Sequence, residues 1–144
     1  MSATQPATLT ALARTAEPHS ALRRFLALDA VVTGANGLAY LVASGPLGGL
    51  LGVGQGLLLT LGALLTLYAG GVALLAARAR PAATGVRAVV EANLAWAVLS
   101  VAALALWLTP TVTGTVWILL QAAAVAAFAV LQHMALRMRQ ESSD

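Results

Sequence analysis

Three ionisable residues, Asp29, Glu91 and His133, stand inside otherwise apolar stretches of the sequence. Counting about 1.5 Å per helical residue from the flanking arginines places all three roughly one helical turn into the membrane. Carboxylates and imidazoles at such positions are candidates for a proton or cation site. A simpler interpretation is that the acids neutralise arginines at the membrane rim. Arg24 lies near Asp29, and Arg87 precedes Glu91 by one helical turn, so that pair shares a face.

Two stripes of polar and aromatic side chains recur at helical spacing. The first comprises Asp29, Thr33, Asn36 and Tyr40. The second comprises Trp117, Gln121, Phe128 and Gln132. Because lipid cannot hydrogen-bond to amides or carboxylates, we expect such faces to turn toward the bundle interior or toward another subunit. Hydrogen-bonded helix packing accounts for both stripes without a ligand.

The elements that position these residues are predicted to be membrane-spanning helices. The 144 residues are 60% hydrophobic and only 9% charged, and no Arg, Lys, Asp or Glu occurs in residues 30–77 or 92–136. A span needs about 20 apolar residues, and four runs have that length. They are residues 25–43, 57–77, 88–108 and 116–136. Strict alternation of apolar and polar residues is absent, which favours helices over barrel strands.

The predicted fold is all-α, a four-helix transmembrane bundle with up-down-up-down topology. The connections between spans are short and rich in Gly and Pro, so consecutive helices should be antiparallel neighbours. In the second span, Gly62, Thr66 and Gly70 recur every four residues. This small-residue pattern predicts close packing against another helix, within the chain or between subunits. An echo of residues 35–40 in residues 92–96 leaves open whether the two hairpins are a duplication.

All eight basic residues are arginines, and all lie on one side of this arrangement. They are Arg14, Arg23, Arg24, Arg78, Arg80, Arg87, Arg137 and Arg139. The positive-inside rule therefore predicts that both termini and the loop between the second and third spans are cytoplasmic. Residues 1–20 and 138–144 are expected to be cytoplasmic tails, the first of them flexible. The predicted location is a bacterial plasma membrane.

Catalytic and cofactor chemistry finds little support in the residue types present. Cysteine is absent, which excludes disulfides and thiolate metal sites. His133 is the only histidine within a span, so a haem ligated by two histidines is not expected. Ser44 and Ser100 lie at different depths from His133, so a serine nucleophile with a histidine base is not expected either. We expect no enzyme activity, no cofactor, no metal and no nucleic-acid partner.

The turns after the first and third spans read Ser44-Gly45-Pro46 and Thr109-Pro110. With four short spans and cytoplasmic termini, the chain resembles the small four-helix membrane proteins of high-GC bacteria grouped as SPW-repeat or DoxX-like proteins. The Ser-Pro-Trp signature itself is missing. The resemblance implies a fold and no mechanism.

Two functions remain open from the sequence. The first is a helix-packing or accessory membrane module that forms homo-oligomers or accompanies a larger membrane protein. The second is a small proton- or cation-coupled transporter that uses Asp29, Glu91 and His133. A shallow acid and a strong charge bias distinguish this chain from small multidrug exporters, whose essential Glu lies deep in the first helix.

The arginine distribution makes a testable prediction of orientation. Cysteines introduced at Ser44 and Thr113 should react with an impermeant thiol reagent on intact cells, and one at Ser143 should react only after permeabilisation. The reverse labelling pattern would contradict the orientation.

Overall fold

A computed structural model describes the backbone of residues 4–143 and the side chains of residues 19–142. Five helices form it: α1 (Thr4–Val42), α2 (Ser44–Leu51), α3 (Gln55–Ala77), α4 (Ala83–Leu106) and α5 (Val112–Ser143). The described residues contain no strand. Four of the helices are long and apolar enough to cross a membrane, which confirms the all-α bundle of four spans. Residues 1–3 and 144 of the predicted tails lie outside the described residues, and α1 already begins at Thr4.

The additional helix, α2, lies in the Gly-rich segment that the sequence predicts as a loop. Pro46 has no amide hydrogen to donate to Val42, so α1 cannot continue past that point and ends at Val42. Within the first turn of a new helix the missing donor has no consequence, and α2 restarts at Ser44. It ends at Leu51 and is capped by Gly52, whose φ of 70° is in the left-handed region that favours glycine.

The helices of the bundle contact one another unequally. α1 packs extensively on α3 and also on α5, whereas α4 packs mainly on α5. Although only a short turn joins α3 to α4, these two helices barely touch. The prediction that consecutive helices are neighbours therefore holds for α1 with α3 and for α4 with α5. Between α3 and α4 the bundle is open.

α1 and α3 approach each other closely through small residues. A Cβ atom added to Gly62 would lie 2.8 Å from the carbonyl oxygen of Gly37, and one added to Gly37 would lie 2.7 Å from Oγ1 of Thr66. Further along the interface, Gly34 faces Ala69. The predicted close packing of Gly62 and Thr66 is thus internal to the chain.

Gly70 does not belong to this contact within the chain, and its packing against another subunit stays a prediction. It is exposed, and a Cβ added there would meet no atom within 4 Å. Eight residues turn a helix about 80° past a whole number of turns, whereas seven leave it within about 20°. The contact face that starts at Gly62 therefore continues to Ala69, which is buried.

Burial is concentrated at the end of the bundle where the arginines lie. The larger core cluster includes Leu22 and Leu26 of α1, Val72 of α3, Val86 of α4 and Leu136 of α5. At the same end, Nε of Arg23 donates to the carbonyl of Ala76 at 3.0 Å, and Arg139 donates to the carbonyl of Pro81.

The other end of the bundle is less well packed. Its core cluster has three buried members, Tyr40, Leu58 and Leu65. The last buried residue of α4 is Asn93. Every later residue of this helix is at least partly exposed. At this end Thr111, which directly precedes α5, forms two hydrogen bonds to the end of α2. Its backbone amide donates to the carbonyl of Leu51 at 3.1 Å, and its hydroxyl donates to the carbonyl of Leu50 at 2.7 Å.

The labelling experiment needs a better site than Ser44, which is buried and accepts a hydrogen bond from Gln55 at 3.3 Å. Gly49 lies on the same connection, is exposed and has no atom within 4 Å of an added Cβ. A cysteine at Gly49 would therefore report orientation without disturbing the fold.

The close contact of α1 with α3 predicts opposite effects for two similar substitutions. Gly62→Leu must push backbone atoms apart, so we expect a loss of about 2 kcal/mol or more in the free energy of unfolding. Gly70→Leu places the same side chain in open space and should change stability by less than about 0.5 kcal/mol. Reversible unfolding in mixed micelles measures both. Equal effects of the two variants would contradict the assigned interface.

Candidate functional site

The carboxylate of Asp29 lies at the arginine-bearing end of the bundle, between core residues Leu26 and Ala30 of α1, and the residue is 0% exposed. Its Oδ1 accepts a hydrogen bond from the hydroxyl of Thr33 at 3.0 Å. Its Oδ2 accepts two more, from Nδ2 of Asn93 at 2.7 Å and from Nε2 of Gln132 at 2.8 Å. One side chain of α1 is thereby bonded to α4 and to α5.

The positions of Thr33 and Asn93 in their helices explain why these two donors reach Asp29. Thr33 lies one turn after Asp29 on the same helix, so its hydroxyl reaches back along the face. Asn93 follows Val86, Val89 and Val90 on the buried face of α4. All three donors are neutral, and both amides are buried with the carboxylate. We call Asp29, Thr33, Tyr68, Asn93 and Gln132 the Asp29 cluster.

The cluster also reaches α3 through Tyr68. Its hydroxyl lies 3.0 Å from Oδ1 of Asn93 and 3.3 Å from the carbonyl oxygen of Val89, and it donates its one proton to these acceptors. Asn93 also donates to Oε1 of Gln132 at 3.2 Å. Because α3 and α4 hardly touch elsewhere, Tyr68 supplies a polar link across the gap between them.

The two predicted polar stripes face each other along α1 and α5. Besides the bond from Gln132 to Asp29, Nδ2 of Asn36 lies 3.5 Å from Oε1 of Gln121, and Nε1 of Trp117 donates to the hydroxyl of Tyr40 at 2.8 Å. These contacts turn Asp29, Asn36 and Tyr40 of α1 toward α5. The pairs run in opposite directions along the chain because the helices are antiparallel.

Glu91 and His133 are not part of this cluster, and the predicted three-residue site is corrected accordingly. Both side chains are exposed and line a groove of about 480 Å³ between α4 and α5, together with Arg87 and Arg137. His133 follows Gln132 by one residue, which is about 100° around the helix, so it points away when Gln132 points inward. Glu91 precedes Asn93 by two residues, which is about 200° around the helix, so the side chain of Glu91 also points away from the cluster.

The expected pair of Arg87 with Glu91 is also absent from the described contacts, although both residues line the same groove. An exposed pair at this spacing contributes only a few tenths of a kcal/mol, which is too little to hold two long side chains in one geometry. Asp29 likewise takes its described hydrogen bonds from neutral groups, not from Arg24.

An open cavity of about 810 Å³ adjoins the Asp29 cluster, and several of its lining side chains are exposed, among them Val31 at 67% and Leu120 at 61%. Thr33, Tyr68 and Asn93 form the part of its wall that belongs to the cluster, and Asn36 and Gln121 add two further polar side chains. Valine, leucine, alanine and tryptophan side chains from four helices make up the remainder. The cavity lies where α3 and α4 make little contact with each other.

The chemistry available at this site is hydrogen bonding around one acid. Amide side chains neither take up nor release protons near neutral pH, so the immediate neighbours of Asp29 fix it in place and are not proton carriers. Among the described residues, no group of three or more His, Asp or Glu side chains is arranged to hold a metal ion.

Asp29, its stripe and Gln132 could be identified from the sequence, whereas the roles of Asn93 and Tyr68 could not. The signal for Asn93 is its register with Val86, Val89 and Val90, which separates it from Glu91 on the same helix. No comparable signal marks Tyr68, because its role depends on the gap between α3 and α4.

Comparisons with protein-family models, with curated proteins and with solved structures find no match to this chain.

The cluster predicts unequal effects for two neutralising substitutions. Asp29→Leu removes both acceptor oxygens and leaves the buried amide donors of Asn93 and Gln132 without them, so we expect a loss of about 1–3 kcal/mol in the free energy of unfolding. Glu91→Gln changes an exposed side chain and should stay within about 0.5 kcal/mol of the wild type. Reversible unfolding in mixed micelles compares them. A more damaging Glu91→Gln would contradict the assignment of Asp29 as the structural acid.

Proposed function

We propose that this chain is a non-catalytic integral membrane module, whose four spans are held in fixed relation so that the bundle can associate with itself or accompany a larger membrane protein. The observation that carries this proposal is the Asp29 cluster. Its described hydrogen bonds join α1, α3, α4 and α5, and the carboxylate is enclosed by groups of this chain.

The surface for association would be the second half of α4. Val98 and Leu106, which line neither described cavity, are more than half exposed, at 67% and 71%. In a membrane, either lipid or a further helix can cover such a surface at similar free energy. A module of this kind would have its arginine-bearing end in the cytoplasm of a bacterial cell. The proposal includes that this chain is related to the SPW-repeat or DoxX-like proteins that it resembles.

A second candidate function is a small proton- or cation-coupled transporter. The specific observation in its favour is the position of a buried carboxylate directly behind the wall of an 810 Å³ cavity. Against it, the carboxylate already accepts three hydrogen bonds, and opening the site would break bonds to α4 and α5 together.

Flux measurements in proteoliposomes discriminate between the two functions. With a pH gradient imposed, we expect wild-type protein to move protons, Na⁺ or tetraphenylphosphonium no faster than protein-free liposomes. Glu91→Gln and Asp29→Asn should behave in the same way. Gradient-driven movement by the wild type, retained in Glu91→Gln and lost in an Asp29→Asn variant that still purifies as a folded bundle, would overturn the module in favour of the transporter.

A further inference from the structure

We propose that the cavity beside the Asp29 cluster is a binding site for an uncharged amphiphile, a molecule with an apolar chain and a head that both donates and accepts hydrogen bonds. This inference goes beyond the proposed module, which requires no ligand. The volume of about 810 Å³ lies within the range of small-molecule sites, roughly 300–1,000 Å³.

The strongest indication is an incomplete set of hydrogen bonds at the cavity wall. Asn36 and Gln121 share a single long contact of 3.5 Å, in which Asn36 is the donor. Oδ1 of Asn36 and Nε2 of Gln121 have no other partner among the described contacts. Neither atom is enclosed without a partner, and both residues line the cavity. An acceptor and a donor are thus accessible where lipid could satisfy neither.

The charges around the cavity favour an uncharged head over an ionic one. No Arg, Asp, Glu or His is among the side chains that line it. Asp29 is wholly buried behind Thr33 and Asn93, and both of these already donate to its oxygens. A cationic head would therefore have no direct contact with the carboxylate, and an anionic head would face it without a counter-charge.

A path for the apolar chain continues from the same wall. A second cavity of about 450 Å³ shares Trp96, Trp117 and Gln121 with the first. It extends between α3 and α4 along side chains such as Leu58, Leu61 and Leu99. A head held at Gln121 would accordingly place its chain among these leucines.

Tryptophan fluorescence in phospholipid nanodiscs tests the proposal, because bromine on a bound chain quenches nearby indoles. Bromododecanol should quench the wild type with a saturable component above the linear background of bilayer partitioning. Ala124→Phe places a ring in the cavity wall one helical turn from Gln121 and should weaken that component several-fold, whereas Ala123→Phe, on the neighbouring exposed position outside the cavity lining, should retain it. If Ala124→Phe fails to fold, Ala39→Phe narrows the same cavity from α1.

The role of the head is tested with a second matched pair. Gln121→Leu should weaken bromododecanol binding by roughly three- to tenfold, the effect of one net hydrogen bond, and leave headless bromododecane unchanged. Gln140→Leu, which lies outside the cavity lining, should have no effect on either probe. Bromododecyltrimethylammonium should bind at least about tenfold more weakly than the alcohol.

Two results would overturn the proposal. One is quenching without a saturable component, or with one that Ala124→Phe and Ala39→Phe leave intact. The other is tighter binding of the trimethylammonium probe than of the alcohol. Neither result bears on the unfolding and flux experiments that test the module, so the two proposals can fail separately.

Discussion

A carboxylate in the interior of a membrane protein must find its hydrogen bonds within the protein, because neither lipid nor bulk water supplies them. Asp29 meets this constraint with the hydroxyl of Thr33 and the amides of Asn93 and Gln132. The bonds from Asn93 and Gln132 have a consequence beyond their own free energy, since these donors belong to α4 and α5 and the acceptor belongs to α1. A change in the relative height or rotation of α4 or α5 would leave a buried donor or acceptor without a partner.

The same constraint explains why the two halves of the bundle differ. At the arginine-bearing end, the Asp29 cluster and the larger apolar core together specify one arrangement of α1, α3, α4 and α5. Beyond Asn93, α4 has no polar partner on α3, and an apolar helix gains little by leaving lipid for protein. The open space between α3 and α4 is therefore a consequence of where the hydrogen bonds stop. The cavities occupy that space.

The number, type and approximate limits of the spans could be predicted from the sequence, because membrane thickness fixes their length and the apolar runs are uninterrupted. The inward direction of the Asp29 stripe could also be predicted, since lipid rejects its polar groups. The grouping of Asp29 with Glu91 and His133 failed because it used depth alone. Which side chains meet also depends on their rotation about the helix axis. His133 is one residue from the inward-facing Gln132, and Glu91 is two residues from the inward-facing Asn93, so both point elsewhere. The part played by Tyr68 depends on how far α4 stands from α3, which no local pattern encodes.

A thermodynamic cycle between Asp29 and Gln132 tests most directly whether the buried carboxylate holds the helices together. Asp29→Leu, Gln132→Leu and the double variant would be unfolded reversibly in mixed micelles, and their free energies of unfolding compared with the wild type. If the two side chains act through their 2.8 Å hydrogen bond, the double variant should lose less than the sum of the single losses, by about 1 kcal/mol. Additive losses would show that the two residues stabilise the bundle independently, and would contradict the account.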